Sequence, residues 1–356
     1  MLTQIGETKK IPDDIKETAT NYKAQIGRYN KIIMNDEWDE KTELMTQSVL
    51  IEHKNKLLSS KEEKKEEQVI EVLLSLRVNA LQISPELKRN FVYELIRNDM
   101  MNISNVKSNQ FVLDLLNIKT YKLRNAVLAI ISIIVSTYRG IEYIISNGTS
   151  IVEKVIEIMK ATEDGQVIQR FCIAILQKMS IKKETIEVYM KCGLIDWIIK
   201  MIQRSRTNEV HQFCLEFGSA LLANIFRSNQ AMDFLETNAS VYQNVAETFL
   251  SMIKEKISTN VLMHLLVCLC FMSKDKFGGL RDECKLFDRI NEFKEYYKDT
   301  RVTSEIAEID KNTVIELCNQ MFKQKGNNNE EPENEIKKAD VEQGELIFEC
   351  FQDEVN

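Results

Sequence analysis

Proline and glycine are scarce in this chain: 356 residues hold 3 Pro and 11 Gly, against usual shares of about 5% and 7%. Turns and sheet edges consume both residues, so the shortage excludes a turn-rich β-protein and favours long helices on short connections. No apolar run is long enough to cross a bilayer, and the N-terminus has no secretory apolar stretch, which predicts no membrane insertion. Histidine is limited to His53, His211 and His264, and the eight cysteines include no CxxC pair. Sequence order therefore offers no zinc-type ligand cluster, and the cysteines read as filler for helix interiors in a reduced, cytosolic chain.

Charge of one sign is also missing from most of the molecule. The formal net charge is −7, yet residues 326–356 alone carry ten Asp/Glu and two Lys, leaving the rest close to neutral. A dominant nucleic-acid surface is thereby excluded. What is abundant is Ile, Leu, Val and Met, within a hydrophobic content of 44% that can fill a continuous core.

The apolar residues repeat. AVLAIISIIVS at 126–136, RFCIAILQKMS at 170–180, GSALLANIFRS at 218–228 and MHLLVCLCFMS at 263–273 begin 44, 48 and 45 residues apart, and each ends in Ser. IEYIISNG at 141–148 and IEVYMKCG at 186–193 precede the apolar-periodic stretches 151–159 and 194–202 in the same relation. Gly148 and Gly193 suit helix exits, since glycine enters positive φ without a Cβ penalty. The unit is a short helix, a glycine turn, a second helix, a polar loop and a longer helix apolar on most faces. Such a unit cannot bury its faces alone, so stacking must supply the core. About five units follow, the first formed from 86–98 and 110–117 onward and the last ending in a helix over 302–323. In that last helix Ile306, Ile309, Val314, Leu317 and Met321 are the expected inward residues.

Around the array, Ile15, Ala19, Tyr22, Ile26, Tyr29 and Ile33 mark an amphipathic helix over 13–34, which can cap this chain or pair with another. A second helix is expected over 41–60, and the mixed-charge run Lys61–Glu67 reads as a solvated helical face. The polar stretch after Lys325 reads as flexible, although it ends in the apolar LIFECF at 346–351, which could dock in a groove. The predicted architecture is an all-α, armadillo-type right-handed helical solenoid with N-terminal amphipathic helices. Its segments are an N-terminal helical or coiled-coil extension at 1–68, armadillo-like repeats at 69–324 and an acidic tail at 325–356.

LRNAVLAIISIIVS at 123–136, IQRFCIAILQKMSIKKETIEVYMKCGLIDWIIKMIQ at 168–203 and LEFGSALLANIFRS at 215–228 together resemble the ciliary LisH-domain armadillo-repeat protein family. The resemblance implies a non-enzymatic protein of the basal body or ciliary tip, needed for cilium assembly or stability. It supplies no catalytic residues, and a LisH domain is not evident in this sequence.

Chemistry finds little purchase. His211 and Cys214, or His264 and Cys268, share helix faces but gain no further ligands. Gly278-Gly279 lacks the phosphate-loop spacing and reads as a turn between helices. The acidic pairs sit in polar stretches unsuited to holding an acid and a base in fixed geometry. No catalytic, metal or cofactor site is therefore predicted, and no cofactor is required.

Three residues are candidates for protein binding. Trp38 lies among acidic residues and suits an exposed anchor. Trp197, in LIDWIIKMI, either packs within its repeat or anchors an interface, with Leu194, Ile198 and Met201 defining its apolar side. Asn224 either makes a local hydrogen bond or grips a partner backbone, as asparagines do in nuclear-import armadillo proteins. The expected function is a protein-interaction scaffold whose partners are ciliary or axonemal proteins, with tubulin and microtubule-associated proteins among them. The alternative is a soluble cargo adaptor, which would require a recurring Trp/Asn ladder.

Overall fold

The computed structural model describes residues 45–83, 85–104, 109–163, 166–207, 210–253, 257–298 and 308–323. The predicted helix 13–34 and Trp38 fall outside the described residues, as does the tail beyond 323.

Among the described residues every regular element is helical. A leading pair, α1 (Gln47–Glu62) and α2 (Glu66–Gln82), is followed by triads. The first is α3 (Pro85–Arg97), α4 (Asn109–Asn117) and α5 (Tyr121–Ile134). The second is α6 (Tyr138–Ile145), α7 (Ser150–Ala161) and α8 (Val167–Met179). The third is α9 (Lys183–Lys191), α10 (Leu194–Arg204) and α11 (Gln212–Phe226). The fourth is α12 (Asn229–Thr237), α13 (Ala239–Met252) and α14 (Thr259–Met272), and the last is α15 (Gly278–Glu283), α16 (Leu286–Lys298) and α17 (Glu308–Lys323).

The third helix of each triad packs against its counterparts before and after, so α2, α5, α8, α11, α14 and α17 lie side by side. Second helices pack on the third helix of their own triad, and α4 meets α7, α10 meets α13 and α13 meets α16. This is the armadillo-type helical solenoid that the repeat length and helix order predict, each triad completing the core of the next.

Local chemistry explains the repeat boundaries. The serine that closes each repeated segment returns its hydroxyl to the carbonyl three residues earlier. Ser136 bonds Ile133 O at 2.6 Å, Ser180 Gln177 O at 2.5 Å, Ser228 Ile225 O at 2.8 Å and Ser273 Cys270 O at 2.8 Å. Each bond goes to a carbonyl in the last turn of a long helix, and the Ile133, Ile225 and Cys270 oxygens also accept the backbone N–H of the same serine, which tightens that turn. Gly148 and Gly193 adopt φ +100° and +60° between the first and second helices of their triads, as their positions predict.

Some local expectations are corrected. The charged run at 61–67 is split between the end of α1, the connection 63–65 and the start of α2 rather than forming one helical face: Lys64 takes φ +57° and Lys65 N bonds back to Ser60 O. Gly278 and Gly279 open the short helix α15 instead of forming a turn between helices. In α17 the buried residues are Val314, Cys318 and Met321, with Leu317 half-buried. Their i, i+4, i+7 spacing puts Cys318 on the apolar line and moves Leu317 off it.

Candidate interaction surface

An internal long helix is covered on two sides by neighbouring long helices and on a third by the second helix of its triad. The remaining side is the one available to a ligand. On α11 the half-exposed residues include Phe213, Phe217, Ala220 and Asn224, whose i, i+4, i+7, i+11 spacing draws a single stripe. On α14, exposed Asn260 and half-exposed Met263, Val267 and Phe271 draw the corresponding stripe, with His264 beside it. The Phe213 and Phe217 rings stack at a centroid distance of 4.1 Å. Two adjacent helices thus present aromatic and aliphatic side chains that packing leaves half in water, the signature of a contact surface.

One triad earlier the same face changes character. On α8, Phe171 and Ala174 are buried and Lys178 follows Phe171 two turns on, while Arg170 is buried beside them. The Arg77 guanidinium of α2 lies 5.7 Å from the centroid of the Phe171 ring, a cation–π contact made across the width of α5. Burial lowers the pKa of both Arg77 and Lys178, because loss of water disfavours their charged forms.

Sequence and structure place the candidate residues differently. Trp197 sits on α10, a second helix, and is half-buried; it does not belong to the long-helix face. The buried line of α10 contains Leu194, Ile198 and Met201 as expected, but also Ile195 and Ile199, which face the core as well. Asn224 lies on the α11 stripe and its amide donates to Ser180 Oγ at 2.9 Å, joining α11 to the end of α8. Neither tryptophan lies on a described long helix, so the described long helices carry no Trp/Asn ladder of the import-adaptor kind. The residues that sequence reasoning missed are Phe213, Phe217, Met263, Val267 and Phe271. An aromatic pair at i, i+4 in FCLEF was the available signal.

Histidine and cysteine are absorbed by packing. His211 Nδ1 accepts from Phe213 N at 3.2 Å, capping α11, whereas the Cys214 thiol donates to Gln169 Oε1 at 3.5 Å on α8. His264 Nδ1 meets Ser219 Oγ at 3.0 Å across the α11–α14 contact. Burial pushes the Cys270 thiol up to about 12 and the Cys318 thiol to about 11, far from a reactive thiolate. Among the described residues no group of three or more His, Cys, Asp or Glu could hold a metal ion, and no helix is long and apolar enough to cross a membrane.

The outer helices are joined by polar pairs one repeat apart. Lys182 meets Glu142 at 2.9 Å, Gln230 meets Glu187 at 2.7 Å, Lys276 meets Asp233 at 2.8 Å and Arg289 meets Glu247 at 2.7 Å. Exposed pairs of this kind contribute little each, typically under ~1 kcal/mol. Their value lies in fixing the register of successive triads.

The chain is similar to LisH domain-containing protein ARMC9 of Xenopus tropicalis, 26% identical over 155 residues, or 43% of this chain. That match spans 19% of the relative's length. It agrees with the family resemblance carried by residues 123–228. No protein-family model matches the chain. Among solved structures, a crystallised engineered protein shares the fold at a TM-score of 0.52 and 12% identity, covering 76% of this chain and 97% of its own.

Proposed function

We propose that this chain is a non-catalytic protein-interaction scaffold of the cilium, acting at the axoneme, ciliary tip or basal body. The observation that carries the interaction reading is the half-exposed apolar stripe on α11 and α14. A stacked array can present such a surface without holding reacting groups in fixed relation. The ciliary placement rests on the resemblance to LisH domain-containing protein ARMC9. Its partners are ciliary or axonemal proteins, including tubulin or microtubule-associated proteins, held by the long-helix face.

Proximity labelling from the tagged endogenous protein in ciliated cells tests both halves. The expected result is recovery of ciliary neighbours, with recovery falling at least about ten-fold, or ~1.4 kcal/mol of binding, in the Phe217→Asp/Val267→Asp variant. A uniform cytosolic distribution defeats the placement. Full recovery by the variant defeats the assignment of the face.

A further inference from the structure

On the outer helices, cations are met by carboxylates one repeat away, as Lys182 is by Glu142, Lys276 by Asp233 and Arg289 by Glu247. Two cations at the ends of the open stripes are not. Arg227 is the C-cap residue of α11, still with helical dihedrals, and continues the line of Phe213, Phe217, Ala220 and Asn224 by one further turn. Lys274 lies just past α14 and continues the line of Asn260, Met263, Val267 and Phe271 in the same way. The two cations are 47 residues apart, the offset that also relates Ala220 to Val267 and Asn224 to Phe271. Both stripes therefore end in the same chemistry.

Both charges reach the open face. Lys274 Nζ stands 5.0 Å from the centroid of the Phe271 ring. Burial lowers the pKa of His264 on α14, Glu216 opposes that shift and Arg227 adds to it, which places the guanidinium within reach of the α11–α14 groove. Arg227 is exposed and Lys274 half-exposed, and neither side chain makes a hydrogen bond or ion pair among the described residues. Nearer the start of α11, the Glu216 carboxylate already accepts from Gln212 Nε2 at 2.7 Å and Ser258 Oγ at 3.0 Å. The face is thus apolar along its length and carries, at one end, two cations that no described carboxylate meets.

Charge on this face changes along the helix axes rather than across the stack. An occupant that buries the stripes and also meets the cations therefore lies lengthwise between α11 and α14, whose axes are about 8–10 Å apart. A helix of about 14 residues rises some 21 Å, the length from Phe213 to Arg227, and can offer apolar residues at i, i+3, i+4 and i+7 to such a groove. We propose that the α11–α14 groove takes an amphipathic helix of a protein partner whose apolar side covers Phe217, Met263, Val267 and Phe271 and whose acidic end lies over Arg227 and Lys274. This rests on the reading of the same face as a partner surface and adds the shape and charge of the partner.

The test pans the full chain against a displayed library of helical peptides of about 14 residues, with Leu or Phe fixed at every third or fourth position and the others random. Peptides that bind the unaltered chain but not the Phe217→Asp/Val267→Asp chain should be enriched in Asp and Glu at one end. By fluorescence anisotropy they should bind the Arg227→Glu/Lys274→Glu chain at least about ten-fold more weakly, since like charges then face each other. Exchanging their acidic residues for Lys should restore affinity for that chain, which a loss of folding could not do. Stripe-dependent peptides with no acidic bias, or acidic ones indifferent to the charge reversal, overturn the proposal and leave the scaffold reading standing. A basic bias, or a dimer of the chain that Phe217→Asp/Val267→Asp abolishes, gives the groove to another occupant and overturns it too. If no selected peptide depends on the stripe, the proposal and the assignment of the face fall together.

Discussion

The α5–α8 region and the α11–α14 region share one repeat plan, yet the first closes its long-helix face and the second leaves it open. On α5, residues 125–134 are all buried, and on α8 Gln177 alone among 167–179 escapes full burial. On α11 and α14 a stripe stays half-exposed along the helix. Near α5 the flanking helices reach each other across it, the Arg77 guanidinium of α2 lying 5.7 Å from the Phe171 ring centroid of α8. The open stripe therefore does not follow from the repeat itself. It marks where apolar surface stays half-buried.

The largest expected contrast compares truncations at the two faces. Ile130 on α5 is fully buried, so Ile130→Ala should cost about 2–5 kcal/mol through lost burial and a residual cavity. Val267→Ala on the open stripe should cost less than about 1 kcal/mol, since only part of that side chain leaves water on folding. Urea unfolding of both variants measures the difference. Equal losses would mean that the stripe is core, and the distinction between regions would fail.

A second contrast uses glycine. A Cβ at Gly140 on α6 would lie 1.7 Å from the Ile134 carbonyl oxygen, a backbone atom, whereas one at Gly218 on α11 would meet the Met201 methyl at 2.4 Å. Backbone cannot yield without moving α5, but a methionine end can swing aside. Gly140→Ala is expected to lose about 3 kcal/mol or more and Gly218→Ala about 1, at the upper and lower ends of overpacking costs. Comparable melting-temperature losses would remove the claim that the α5–α6 joint is the tighter.

Sequence alone revealed the helical class, the unit order and the Ser and Gly boundary residues, because each rests on short-range chemistry. It could not separate α5 from α14. AVLAIISIIV and MHLLVCLCFM are both apolar on nearly every face, and whether such a helix is covered depends on a side chain two long helices away, as Arg77 is from Phe171. The same limit explains the candidate site. Asn224 stood out as a polar residue in an apolar helix, while its partner Ser180 lay 44 positions earlier and became legible only once repeats were stacked. Phe217 and Val267 looked like ordinary core.

That stacking bond gives a smaller prediction. Asn224→Ala removes the donor to Ser180 and should cost about 1 kcal/mol, the usual net worth of one such bond. Asn224→Asp should cost more, because the carboxylate has no N–H to offer. If alanine and aspartate are both neutral by urea unfolding, Asn224 does not hold α11 to α8 and its amide is free to serve a ligand.

The smallest expected effect is a pH dependence confined to the open region. His264 lies beside the α14 stripe, against Ser219, with its pKa lowered by burial; Glu216 opposes that shift and Arg227 adds to it. Neither α5 nor α8 contains a histidine. An unfolded histidine titrates near about 6.5, so below that pH the unfolded chain takes up the proton first. Stability falls as pH falls wherever the unfolded state binds more protons. The contribution is thus intact above the unfolded value and is lost on acidification toward the lower folded value. His264→Gln keeps a polar side chain near Ser219 but does not titrate, so the stability gap between it and the unaltered protein should narrow from pH 7.5 to pH 5.5 in urea midpoints. A gap that stays constant across this range would show that His264 is as well hydrated when folded as when unfolded, and would extend the water-exposed stripe by one residue on α14.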